Sequence, residues 1–190
     1  TPRRTALIGV HIRARFVERR TYGLIRSSRN SSSSQFSATF ASLYATRFEW
    51  CVAKVRALAH SKGFHRSRVY VAADNDIVRH GAQSSLGPGY ISPPSWISDA
   101  VPTTSDEMKL GPRRTEAQNR AAFDELLVLS RMDAMVVYSM NQSTYSSVAA
   151  SWFTHRAGGS QLPPGLGVFV AGSGCRHIPV HLVEAMAGPS

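Results

Sequence analysis

Lysine is nearly missing from this chain: of its 22 basic side chains, only Lys54, Lys62 and Lys109 are not arginine. Acidic side chains number just 12, which leaves a formal net charge of +10. Such an excess invites polyanions, whether nucleic acid, an anionic membrane surface or a phosphorylated small molecule. Arginine-rich usage set by genome composition accounts for the same numbers without any partner. The arginines are scattered, with short pairs at Arg3-Arg4, Arg19-Arg20 and Arg113-Arg114, and form no basic helix and no nucleic-acid arm. Aromatic residues are not interleaved with them, which counts against a nucleic-acid module.

Cysteine is equally sparse. Cys51 and Cys175 are too few to define a disulfide framework, and neither belongs to a CxxC. Cys51 falls in a helical pattern and reads as a small buried hydrophobe. No apolar run approaches the roughly 20 residues needed to cross a bilayer. A membrane anchor is therefore expected only outside these residues. The chain opens on Thr1 without a secretory hydrophobic segment, so a fragment, or a mature or excised domain, is expected. Metal-ligand spacing is absent too: His60 and His65 straddle a glycine, and His177 and His181 straddle a proline.

What is present suits one domain with a real core. Of 190 residues, 43% are apolar. Thr5 to Ile12 ("TALIGVHI") is β-rich and bounded by charge. Ser27 to Ser37 is a serine-rich loop. Ala38 to Ser61 then shows three- and four-residue spacing through Phe40, Leu43, Tyr44, Phe48, Cys51, Val52, Val55 and Leu58, with Gly63 as a stop. "VYVAA", Val69 to Ala73, has the continuous apolar character of a strand covered on both faces. A helix is expected from Ile77 to Gln83, after the capping residues "DND". Residues 87–112, rich in Pro, Ser and Gly, read as a flexible surface connection with a short strand around Tyr90. Helices follow at Thr115 to Arg131 and Gln142 to His155, and strands at Ala134 to Tyr138 and Gly167 to Ala171. Strand and helix alternate throughout. The fold class expected is α/β, a Rossmann-like open parallel sheet flanked by helices, in a single domain over residues 1–190.

In such a sheet, ligands bind on the loops that leave the carboxyl ends of the strands. Three of those loops carry polar clusters here: His11, Arg13 and Arg15; Asp74, Asn75 and Asp76; and "SMNQSTYSS", Ser139 to Ser147. A guanidinium holds two phosphate oxygens in one fork and keeps its charge. Ser143, Thr144 and Ser146 would add hydroxyls at a helix start, beside exposed N–H groups. The combination suits a diphosphate. The alternative is that Arg13 and Arg15 merely neutralise Asp74 and Asp76. Asp124 shares a helical face with Ala117, Ala121 and Val128, where a carboxylate needs a partner. That partner is either Arg120, as a surface pair, or the adjacent N1–H and N2–H₂ donors of guanine.

The segments "IGVHIR", "VYVAADND" and "FDELLVLSRMDAMVVYSMNQSTYSSVAA" resemble, in order and spacing, three motifs of the superfamily of α1,2-, α1,6- and protein O-fucosyltransferases. The likeness runs from about Ala6 to Phe153 and rests mainly on the third motif. It implies a divergent GT-B glycosyltransferase whose nucleotide-binding half this is, joining fucose from GDP-fucose to a glycan or protein hydroxyl with inversion. The resemblance implies that Arg13 grips the β-phosphate, that His11 and Asp124 lie around the guanine, and that Asp74 is the first acid of the second motif. Ser143, Thr144, Tyr145 and Ser146 match the phosphate-side turn. It also implies no obligatory metal or cofactor, a nucleotide sugar and a glycan or glycoprotein as partners, no nucleic acid, and a Golgi or ER lumen setting. Ala14 stands where the family has a second arginine, and Asn75 where it has a second acid. A non-catalytic relative that only binds the nucleotide sugar, or a basic polyanion-binding module, are the alternatives.

Overall fold

The computed structural model describes residues 5–12, 46–73, 79, 81–82, 85–86, 89–91, 116–138, 144–157, 166–179 and 182–183. Among them, β1 (Thr5–Ile12) is followed by α1 (Thr46–Ser61), β2 (Arg66–Ala73) and β3 (Tyr90–Ile91). Next come α2 (Glu116–Ser130), β4 (Ala134–Val137) and α3 (Thr144–Ala157). The end of the described chain holds β5 (Val168–Val170), a 3₁₀ turn (Ala171–Ser173) and β6 (Arg176–Ile178). The six strands form one sheet in the order β3-β2-β1-β4-β5-β6. All neighbouring pairs are parallel except β5 with β6, which run antiparallel. The fold is therefore α/β with a mixed, mostly parallel sheet. The expectation of a parallel sheet is corrected at this one edge, where the chain turns back through the 3₁₀ turn instead of crossing over a helix.

The middle strands are covered on both faces, as their unbroken apolar runs demand. Ile8, Val10 and Ile12 point to one side, where they meet Phe48, Cys51, Val52 and Val55 of α1. Residues of the other parity, such as Tyr70, Met135 and Val137, pack under α2 and α3 against Leu129, Ala149, Ala150 and Phe153. Gly9 belongs to this second side. A Cβ there would lie 2.9 Å from Leu129 Cδ2 and 2.9 Å from Met132 Cγ, so the missing side chain lets the end of α2 lie on β1. Asp133 then starts β4 by bonding twice to one residue of β1. Its N–H donates to Leu7 O at 2.7 Å, and its Oδ2 accepts from Leu7 N at 2.8 Å.

The cysteines overturn the reading of Cys51 as a simple hydrophobe. Cys51 and Cys175 are disulfide-bonded, 124 residues apart in sequence, with Cα atoms 4.9 Å apart. The bond joins the buried face of α1 to the tight turn before β6. Cys175 sits in the left-handed region at φ 54°, a conformation few side chains adopt without a tether. A crosslink closing so long a loop removes much of the unfolded chain's freedom, worth about 4–5 kcal/mol on the chain-entropy account. We expect Cys51→Ser, or reduction of the wild-type chain, to lower unfolding free energy by about 3–5 kcal/mol, read by urea denaturation followed by tryptophan fluorescence. Coincident curves for the oxidised and reduced protein would contradict the bond.

Candidate functional site

β1 is flanked by β2 on one side and β4 on the other, so the carboxyl ends of these three strands lie side by side. Their registers are in step: His11 pairs with Ala72 and with Val137, and Ile12 pairs with Ala73. α1, between β1 and β2, covers one face, while α2 and α3, before and after β4, cover the other. The connections therefore diverge between β1 and β4, and an open sheet offers a crevice at such a point.

His11 stands at that crevice. It has the parity of Leu7 and Gly9, faces the α2 and α3 side, and is only 4% exposed. Arg13, Arg15, Asp74, Asp76 and Ser143 lie outside the described residues. Thr144, Tyr145 and Ser146 form the first turn of α3, which begins two residues later than the spacing suggests. The end of β1 is one residue before Arg13, and the end of β2 is one residue before Asp74.

Asp124 is on α2 and partly exposed. Its Oδ2 lies 3.9 Å from Nε of Arg120, one helical turn away, as the surface-pair alternative expects. Arg120 is itself 82% exposed, so the pair is screened and contributes little to stability. Glu116, Ala117, Arg120 and Asp124 line a cleft of about 560 Å³ along the first half of α2. Of the face expected to be apolar, Ala121 is buried and Val128 partly so, whereas Ala117 is exposed. Asp124 is thus beside a cleft and not within the core.

The acid that α2 does bury is Glu125, which the spacing argument passed over. Its Oε1 lies 2.8 Å from Nη2 of Arg79, with side chains only 2% and 7% exposed for arginine and glutamate. Nη2 of Arg79 also donates to Ala73 O at 3.2 Å, at the very end of β2. Tyr70 Oη donates to Glu125 Oε1 at 3.3 Å. Burial, with the neighbouring carboxylate second, pushes the Tyr70 hydroxyl well above the ordinary tyrosine range, so it stays a donor. Arg79 precedes Ala82 and Leu86, which pack on the α1 side, while Glu125 hangs from the opposite layer. The pair is a clamp reaching round the end of β2. It brackets residues 74–78 and adjoins Asp124. The signal in sequence was slight: an arginine five residues after Asp74, and a glutamate next to the acid that drew attention.

Among the described residues, no group of three or more His, Cys, Asp or Glu is arranged to hold a metal ion, and no helix is long and apolar enough to cross a membrane. No protein-family model, curated protein or solved structure matches the chain.

Nε and Nη1 of Arg79 are buried without a hydrogen-bond partner, so the clamp is not fully satisfied. A lone buried charge is far worse than a paired one, whereas an apolar pair of similar volume can replace both. Glu125→Leu alone should lower stability by about 3–5 kcal/mol, and Arg79→Met with Glu125→Leu should regain most of that loss. The check is a double-mutant cycle by chemical denaturation; additive losses would show that the two groups do not act as a pair.

Proposed function

We propose that this domain is the nucleotide-sugar-binding half of a fucosyltransferase-type glycosyltransferase of GT-B architecture, holding GDP-fucose at the carboxyl edge of a Rossmann-like sheet. The observation that carries this reading is the adjacency of β2, β1 and β4, because the three polar segments of the sequence begin where those strands stop. A strand order of this kind offers its crevice beside the middle strand, and His11 is already buried there. In this reading Arg13 grips the β-phosphate and stabilises the charge that develops on the departing diphosphate. His11 and Asp124 flank the guanine, while Asp74 and Ser143, Thr144, Tyr145 and Ser146 complete the phosphate side. Fucose passes to a glycan or protein hydroxyl with inversion, and the reaction requires no metal. The Cys51–Cys175 bond supports a Golgi or ER lumen setting, since disulfides persist in oxidising compartments. Ala14 and Asn75, at positions where the motifs carry charge, favour a second reading in which the domain binds the nucleotide sugar without turnover.

Calorimetry with GDP, UDP and ADP tests this directly. GDP should bind at least tenfold more tightly than the other two, and Arg13→Ala should cost about 2–4 kcal/mol of that affinity while leaving the fold intact. Indifference to the base, or unchanged GDP affinity in Arg13→Ala, would overturn the assignment.

Asp124→Asn places a donor opposite guanine's donors, so it should weaken GDP far more than pyrophosphate. Equal losses for both ligands would make Asp124 structural. With GDP-fucose and mixed glycan and peptide acceptors, the 190-residue chain should bind donor without transferring fucose, because closure over the site needs a second domain.

A further inference from the structure

The end of the sheet opposite the proposed nucleotide site gathers positive charge that looks scattered in sequence. α1 ends at Ser61 and β2 starts at Arg66, so Lys62, His65, Arg66 and Arg68 all lie at the amino end of the strands. Arg131 joins them from the connection between α2 and β4. All five are exposed, and none makes an ion pair among the described residues. One described acid lies at this pole, Asp133, and its Oδ2 is occupied by Leu7 N. Cations are favourable beside helix C-termini, which accounts for Lys62 after α1 and Arg131 after α2. It does not account for Arg66 and Arg68, which stand on a strand. Being two apart, they project to the same face, roughly 6.6 Å from one another along the strand.

We infer that this pole is a docking surface for an acidic polysaccharide, a chain bearing sulfate or carboxylate groups at regular intervals. Guanidinium forks suit both groups, holding two oxygens at once. Among polyanions, the disulfide weighs against nucleic acid. A chain closed by Cys51–Cys175 matures in an oxidising compartment, where acidic polysaccharides are present and nucleic acids are not. The surface is independent of the nucleotide reading, because it lies at the other end of the strands.

The test is binding of the disulfide-intact chain to size-fractionated heparin across a salt series. Neutral dextran, single-stranded DNA and vesicles containing phosphatidylserine serve as comparators. Heparin should bind more tightly than the three comparators, and excess GDP should not displace it. Arg66→Glu with Arg68→Glu should weaken heparin binding at least tenfold and reduce the slope against log salt by about one to two, one counterion for each lost contact. Lys54→Glu with Arg176→Glu, which makes the same change in net charge on other exposed positions, should weaken binding less than threefold. Equal losses from the two double variants would show that net charge alone is responsible and overturn the surface. Equal or tighter binding of DNA or of the vesicles would overturn the polysaccharide.

Discussion

The pairing of β1 on both sides at once governs this domain. A strand hydrogen-bonded to β2 along one edge and to β4 along the other cannot shift register without breaking two ladders and turning Ile8, Val10 and Ile12 out of their layer. Its neighbours inherit that fixity. Gly9 admits α2, and Asp133 locks the start of β4 to Leu7, so the second layer is positioned by the first strand. Because the three strands are in step, their ends form a common edge, and any segment beginning at Arg13, Asp74 or Ser139 starts from it. A site shared by such distant stretches of sequence depends on this register more than on any single side chain.

Two crosslinks of opposite character brace the structure around that strand. The disulfide joins α1 to the turn before β6, acting chiefly on the unfolded chain by closing a loop of 124 residues. The Arg79–Glu125 clamp acts on the folded state instead, tying the layers together around the end of β2. Its gain is offset by two unmet guanidinium nitrogens and by the desolvation of both charges. Such a pair adds little net stability, yet it fixes where the layers sit relative to one another. The segment it brackets, 74–78, is the one that carries the second polar motif.

The strands with continuous apolar runs were legible in the sequence to within a few residues, because burial on both faces leaves an unmistakable composition. Helices α1 and α2 were legible for a related reason: Phe48, Cys51, Val52 and Val55 recur at helical spacing against the sheet and Ala121 is buried on α2, while residues 38–45 of the first expected helix lie outside the described residues. β6 was not legible. Arg176-His177-Ile178 has one buried residue, and it pairs only because a glycine-rich turn folds it back on β5. The disulfide was hidden since two cysteines carry no spacing signature, and bonding depends on a contact that only the tertiary fold creates. At the candidate site His11 was legible as a polar residue near the end of the first strand, and β1 does include it. Glu125 did not, because period alone does not tell which of two adjacent acids on α2 turns inward; that depends on Arg79 waiting beneath it.

Charge shows the same limit from another direction. A net charge of +10 with no basic run looks diffuse when counted along the chain, since Lys62, Arg66 and Arg68 are separated by ordinary residues and Arg131 is far away. A parallel sheet changes the arithmetic. The five parallel strands, β1 to β5, and the helix-to-strand turns before them begin at the same pole, so residues placed just before those strands converge there whatever their sequence distance. By the same rule, residues placed just after strands converge at the opposite pole. The fold thus sorts one sequence into two ends. At the carboxyl end a buried histidine stands where polar segments of the sequence begin, and the amino end gathers cations that make no ion pair among the described residues. In the proposed reading, a ligand meeting the first is selected by shape and hydrogen bonding. A partner meeting the second is drawn by a field that salt screens within about 10 Å, which makes its binding the more sensitive of the two to ionic strength.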